Sequence, residues 1–241
     1  MMRIDIQENG PYVVKGGVPL LVVRIETDES GAAITYHEIH RYPLQETYAL
    51  CRCGASGRKP FCDGAHVAAG FDGTETEGHH DISDDAKALT GAGITLLDTQ
   101  RYCMGALFCH QDRGTWEETH HSTDAGAKGE AAAASARHSA AQCPSSRLMM
   151  WVDELDAVDE PELEPSIALL EGPQKGISSA LWVRGGIPIF GADGQPYEKR
   201  NRVTLCRCGQ SHLKPYCDRS HCETCFTDGL NDPAGFAQAI A

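Results

Sequence analysis

The stretch "CRCGASGRKPFCDGAH", residues 51–66, sets three cysteines and a histidine in the spacing C-x-C-x8-C-x3-H. The pattern returns as "CRCGQSHLKPYCDRSH" at residues 206–221, with ten of the sixteen positions identical. Four such donors call for a metal, either tetrahedral zinc or an iron–sulfur group. Recurrence of the whole set argues against cysteines buried by accident. Zinc knuckles usually separate the first pair by roughly two to four residues. Here one residue separates Cys51 from Cys53 and Cys206 from Cys208, which puts both sulfurs on one side of an extended segment. Such a pair suits one iron of a two-iron cluster. Cys62 with His66, and Cys217 with His221, suit the other iron. A zinc-binding adaptor module stays open as an alternative on spacing alone.

The repeat reaches upstream of the ligands. "VKGGVPL" (14–20) matches "VRGGIPI" (183–189), and "YALCRCG" (48–54) matches "VTLCRCG" (203–209). Each copy predicts strand, loop or hairpin, strand, ligand loop and a short helix that carries the histidine. Asp63 and Asp218 are placed to cap that helix. The first copy carries fourteen additional residues, among them the strand-like "AAITYHEIHRY" (32–42). Neither copy buries much alone, so the two are expected to pack about a pseudo-twofold axis.

Between the copies the sequence changes character. "GITLLDT" (93–99) and "RLMMWV" (147–152) read as strands, and the alanine-dense "EAAAASARHSAAQ" (130–142) as a helix. Cys103 and Cys109 form C-x5-C, and Cys143–Pro144 follows the helix. The divisions expected are 1–75, 76–160 and 161–241, an α+β chain of two small β-rich units with an inserted α+β segment.

Eleven cysteines, an odd number, in 241 residues without a secretory leader point to thiols kept reduced, hence a cytoplasmic protein. No stretch is long and apolar enough to span a bilayer. A formal charge of −13 excludes nucleic acid as a natural partner. Seven acids and no base lie between Asp153 and Glu164, a patch able to steer a redox partner. Cys222 and Cys225 form C-x2-C just past His221, where the first copy has Val67 and Gly70. The histidines of "HEIH" (37–40) and the pairs His79–His80 and His120–His121 read as surface loop residues. No nucleophile–base set, phosphate loop or dinucleotide fingerprint is present, so the chain does not read as an enzyme.

Both motifs resemble the CDGSH iron–sulfur domain family, the family of mitoNEET. The first fits its pattern with Cys51, Cys53, Ser56, Pro60, Cys62, Asp63, Gly64, Ala65 and His66. The second fits with Cys206, Cys208, Ser211, Pro215, Cys217, Asp218, Ser220 and His221, and departs at Arg219, where the pattern has glycine. The resemblance implies one [2Fe–2S] cluster per motif, held by three Cys and one His, in a small β-rich fold whose motifs come together in pairs. The middle segment resembles the divergent single-cluster ferredoxin domain found fused to CDGSH motifs. On that resemblance Cys103, Cys109 and Cys143 hold a third cluster, [3Fe–4S] or [4Fe–4S], with Ala106 at the second ligand position and His110 available nearby. The expected function is one-electron transfer to a redox partner protein by a monomer with an internal pseudo-dimer. The alternative is a cluster carrier serving an apo-protein acceptor, or a redox and pH sensor with labile His-ligated clusters. Arg219 is expected to raise the potential of the second cluster and to make the two distinguishable.

Overall fold

A computed structural model describes residues 1–172 and 176–230. The first copy supplies β1 (Arg3–Ile6), β2 (Tyr12–Lys15), β3 (Leu20–Thr27), β4 (Ala33–Arg41), β5 (Thr47–Leu50) and α1 (Ala65–Ala68). The middle segment supplies β6 (Lys87–Thr90), β7 (Ile94–Asp98), α2 (Thr115–His121), α3 (Ala127–Ala141), β8 (Leu148–Val152) and β9 (Ala157–Val158). The second copy supplies β10 (Ser166–Glu171), β11 (Ser178–Arg184), β12 (Ile189–Phe190), β13 (Arg202–Leu205) and α4 (Ser220–Glu223). Strands and helices are thus mixed, as in an α+β chain. Among the described residues, no helix is long and apolar enough to cross a membrane.

The strands pair across the copies. One sheet runs β12-β1-β2-β5 and a second runs β13-β11-β10-β3-β4. The first therefore takes one strand, β12, from the second copy, and the second takes two, β3 and β4, from the first. Ile4 of β1 lies opposite Ile189 of β12, and Ile167 of β10 lies opposite Leu20 of β3, both pairs parallel. Leu20 and Ile189 are matching positions of the repeat, so the two pairings are the same contact with the copies exchanged. The break that permits the exchange is Gly16-Gly17 in one copy and Gly185-Gly186 in the other. All four glycines hold positive φ between 68° and 86°, a conformation that side chains disfavour. The chain therefore leaves its own sheet after the glycine pair and enters its neighbour's.

Alternation fills the space between these sheets. Val14, Leu20, Val22, Leu50, Ile167, Leu169, Leu181, Val183 and Leu205 share one buried cluster that draws on both copies. Burying this apolar surface jointly is what makes two units of modest size stable together.

The middle segment forms a third sheet, β6-β7-β8-β9. Its core joins Ile94, Leu96, Leu148, Met150 and Val152 to Ala136 and Ala140 of α3. Alanines four residues apart give α3 a narrow face that lies close against the sheet. The loop after β7 leaves this core. Its Met104, Ala106 and Phe108 pack instead with Trp182 of β11 and with Cys217. The histidines of "HEIH" lie on β4, and His120–His121 close α2, so neither group is in a loop.

Candidate metal centres

Each CDGSH-like loop is tied by the same bonds. Cys51 N–H donates to the Pro60 carbonyl at 2.8 Å, and Cys206 N–H to that of Pro215 at 2.8 Å. Cys62 N–H donates to the Ala49 carbonyl at 2.9 Å, and Cys217 N–H to that of Thr204 at 3.0 Å. Ser56 and Ser211 hydroxyls each donate to a carbonyl five residues on, at 2.7 Å. Lys59 and Lys214 donate to the carbonyls of those serines. Both loops contain a cis proline, Pro60 and Pro215. Asp63 accepts from the N–H of Gly57 at 2.8 Å and of Ala65 at 3.0 Å, while Asp218 accepts from His212 and Ser220 at the same distances. The motif aspartate thus clasps the loop and holds the first N–H of the histidine-bearing helix, but from one residue outside the expected position: the cap residues are Gly64 and Arg219, and neither makes a side-chain capping bond.

These restraints set the donors in pairs. The sulfurs of Cys51 and Cys53 lie 3.7 Å apart, as do those of Cys206 and Cys208. Two thiolates about 2.3 Å from one tetrahedral metal stand at about that separation. Nδ1 of His66 lies 3.5 Å from Cys62 Sγ, and Nδ1 of His221 lies 3.3 Å from Cys217 Sγ. Among the described residues, no three His, Cys, Asp or Glu side chains converge on one point as a single-ion site requires. A lone zinc needs all four donors at one centre, whereas a two-iron cluster needs two at each end. The donor set fits the latter.

The loops meet back to back. Cys53 and Cys208 form an antiparallel bridge. Gly54 and Gly209 are the positions of closest approach. A Cβ on Gly54 would lie 2.5 Å from the Cys208 carbonyl oxygen, and one on Gly209 the same distance from that of Cys53. No larger residue fits there, which accounts for the glycine after each C-x-C.

The surroundings of the two sites differ. His66 is half-buried, with Val67 exposed beside it. His221 is only 2% exposed, and its Nε2 lies 3.0 Å from the Ser179 hydroxyl. A partner of that kind on the second ring nitrogen fixes a ligating imidazole. Burial, with the Arg207 charge adding to it, lowers the pKa of His221 to about 4. The residue between the first two cysteines is a buried arginine in both loops. Arg207 donates to the carbonyls of Ser179 and Leu170 at 2.6 and 2.9 Å and to Glu171 at 2.9 Å, and it also pairs with Asp228. Arg52 donates to the Gly73 carbonyl, and its closest carboxylate, Glu75, stands 4.0 Å away. Its Nε and Nη1 find no hydrogen-bond partner among the described residues. The rings of Tyr12 and Phe71 lie 5.7 and 5.4 Å from its guanidinium carbon.

The three middle cysteines come together. Cys103, Cys109 and Cys143 line one cavity of about 400 Å³, with Ala106, His110, Arg147, Asp218 and Arg219 also on its wall. Burial pushes the Cys109 thiol up to about 12, with Cys143 and then Cys103 adding to it. Thiols so placed become thiolates only when a cation compensates them. Three soft donors facing one cavity therefore fit an iron–sulfur group. His110 is exposed at the rim. All eleven cysteines are free, with Cys222 half-buried and Cys225 exposed.

Three contributors escape a reading of the motifs. Arg202, fully buried, donates to the carbonyls of Ala140, Ala141 and Cys143 and pairs with Glu160 at 2.7 Å. It thereby fixes the end of α3 and the Cys143 loop from the second copy. Glu160, one of the seven acids of the 153–164 run, is thus structural, and Asp159 is paired with Arg137 at 2.8 Å. Ser179 on β11 has no counterpart role visible from spacing, and Tyr12 donates across the copies to the Cys206 carbonyl at 2.8 Å. Arg219, by contrast, is marked by the motif itself, and it holds φ at 78° where Gly64 holds 88°, a left-handed conformation that costs an arginine about 1–2 kcal/mol.

Residues 9–67 and 179–222 match the family model described as iron-binding zinc finger, CDGSH type. Comparison with curated proteins and with solved structures returns no match.

Proposed function

Since the chain carries two CDGSH-type iron-binding units, we propose that it is an iron–sulfur electron carrier with two [2Fe–2S] sites and a third site in the cysteine cavity. Cys51, Cys53, Cys62 and His66 hold the first group, and Cys206, Cys208, Cys217 and His221 the second. Cys103, Cys109 and Cys143 hold a [3Fe–4S] or [4Fe–4S] group. Bound there, such groups supply one-electron chemistry, and a neutral histidine in place of an anionic cysteine raises the potential. The chain's own residues orient the donors. Asp63 and Asp218 fix the ligand loops, Ser179 holds the His221 ring, and Arg202 fixes the Cys143 loop.

The observation that carries this reading is the paired donor geometry, repeated in two loops that meet at Cys53 and Cys208. Sites placed back to back favour passage of electrons between them. The reciprocal strand exchange supports a pseudo-twofold pair of units, residues 1–75 and 161–241, around a ferredoxin-like segment 76–160. The partner is a one-electron donor or acceptor protein, and the chain itself performs no bond-making reaction.

Iron and acid-labile sulfide per chain, with EPR of anaerobically prepared oxidised and reduced protein, test the reading. Seven or eight irons are expected. Four would remove the cavity site, and zinc without sulfide would remove all three. The half-buried His66 and exposed Val67 also favour a second role, release of the first site's cluster to an apo-protein. Holo-protein mixed with an apo-ferredoxin separates the two. Transfer of the visible spectrum without net redox change favours the carrier, and reversible reduction by a flavoprotein with retained iron favours electron transfer.

A further inference from the structure

The cysteine cavity touches one CDGSH site and not the other. Its wall includes Asp218 and Arg219, which directly follow the ligand Cys217, and includes no residue of the first motif. Cys217 itself packs with Met104, Ala106 and Phe108, the loop that carries Cys103 and Cys109. Arg219 stands where the first motif has Gly64, in the same left-handed backbone conformation. Its side chain runs along that loop. A Cβ on Gly105 would meet the Arg219 Cδ and Nε at 3.2 Å. The first site has no side chain at this position and lies on the far side of the Cys53–Cys208 bridge. A strained arginine is thus aimed from one metal site's loop across the mouth of another cysteine set.

We infer that Arg219 is a shared positioning cation for the second CDGSH site and the cysteine cavity, tying their potentials together and making the second site the cavity's electron partner. The inference rests on the cavity holding an iron–sulfur group, as proposed above. Reduction adds one negative charge to whichever site accepts the electron, and a guanidinium beside both stabilises the reduced form of each. The step itself makes and breaks no bond. One site is oxidised by one electron and its neighbour reduced by one, with a reduced flavoprotein as the class of external donor and a one-electron acceptor protein as the class that takes the electron on. Screening at the cavity mouth, where Arg219 is exposed, limits the effect.

The test is an EPR-monitored redox titration of the metal-loaded full chain with Arg219, Arg219→Gly and Arg219→Lys, after iron and sulfide are counted in each. Glycine suits the left-handed backbone, so folding is preserved. In Arg219→Gly the potentials of the second site and the cavity group both fall, by roughly threefold to tenfold in the reduction equilibrium, tenfold being about 59 mV for one electron. The first site stays in place, and Arg219→Lys stays near the parent. With seven or eight irons present, unmoved potentials, or a first site that moves as far as the second, overturn the inference alone. Four irons in the parent protein overturn the cavity reading and this inference with it.

Discussion

The two copies write nearly the same sixteen residues around their metal donors and bury them differently. In the first loop Arg52 is buried with two nitrogens unpartnered and its nearest carboxylate 4.0 Å away. In the second, Arg207 sits between Glu171 and Asp228 with every nitrogen engaged. The motif therefore dictates the donors, while the chain outside it decides the charge and solvent around them. Replacing both arginines by an apolar residue of similar length breaks this comparison most sharply. Arg207→Met strands two buried carboxylates and is expected to destabilise by roughly 3–5 kcal/mol. Arg52→Met removes an incompletely paired cation and is expected to stay within about 1 kcal/mol of the parent. Thermal and urea unfolding of the metal-loaded variants check this. Equal losses in the two would mean that the partners seen around Arg207 contribute nothing.

Access gives the next largest contrast. His66 is half-buried, with no hydrogen bond to its Nε2 among the described residues, whereas Ser179 holds a fully enclosed His221. Iron leaves a site when a competing ligand reaches it. A ferrous chelator at neutral pH is expected to empty the first site about tenfold faster than the second, a difference of about 1.4 kcal/mol in barrier. Ser179→Ala should narrow the gap from the second site's side. Single-phase iron release from the parent protein, with both sites emptying together, would sink the contrast.

What the sequence makes legible here is local. The glycine-proline break, the alanine helix and the strands beside it are short-range patterns, and each forms where its pattern predicts. The spacing of the three cysteines and the histidine is short-range too, and it sets Cys51 beside Cys53 and Cys62 beside His66. Asp63 and Asp218 bond within the same short range, although one residue before the cap position expected of them. What it hides is pairing over distance. Nothing near Ile4 says that its strand neighbour is Ile189, because β12 contributes only two residues to the sheet. Nothing near Arg202 marks it as the clamp on Cys143, since its partners lie about sixty residues upstream and are mostly backbone carbonyls. The meeting of Arg219 with the Cys103–Cys109 loop is hidden for the same reason, although its departure from glycine was a visible signal that the position is special.

The smallest effect expected lies at Glu171. Burial raises this carboxyl from an ordinary value near 4.5 to about 7, against the pull of Arg207, with Asp228 adding to the rise. Asp228 beside the same arginine moves the other way, its ionised form held by Arg207, the Leu230 N–H and Ser178 against the cost of burial. One guanidinium thus faces two carboxyls, and the pair keeps a proton that the unfolded chain releases. The sign follows directly. Between pH 4.5 and about 7 the folded state binds more protons, so this group's contribution to stability is fully present below that window and declines as pH rises through it. Glu171→Gln removes the titration and leaves Arg207 opposite a single carboxylate. From about pH 6 to about pH 7.5 the parent is expected to lose roughly 1 kcal/mol more than the variant. Urea midpoints of the metal-loaded proteins at both pH values read the difference. Parallel curves would place Glu171 ionised throughout, and the second site's buried charge would then be more negative than its neighbour's at every pH in that range.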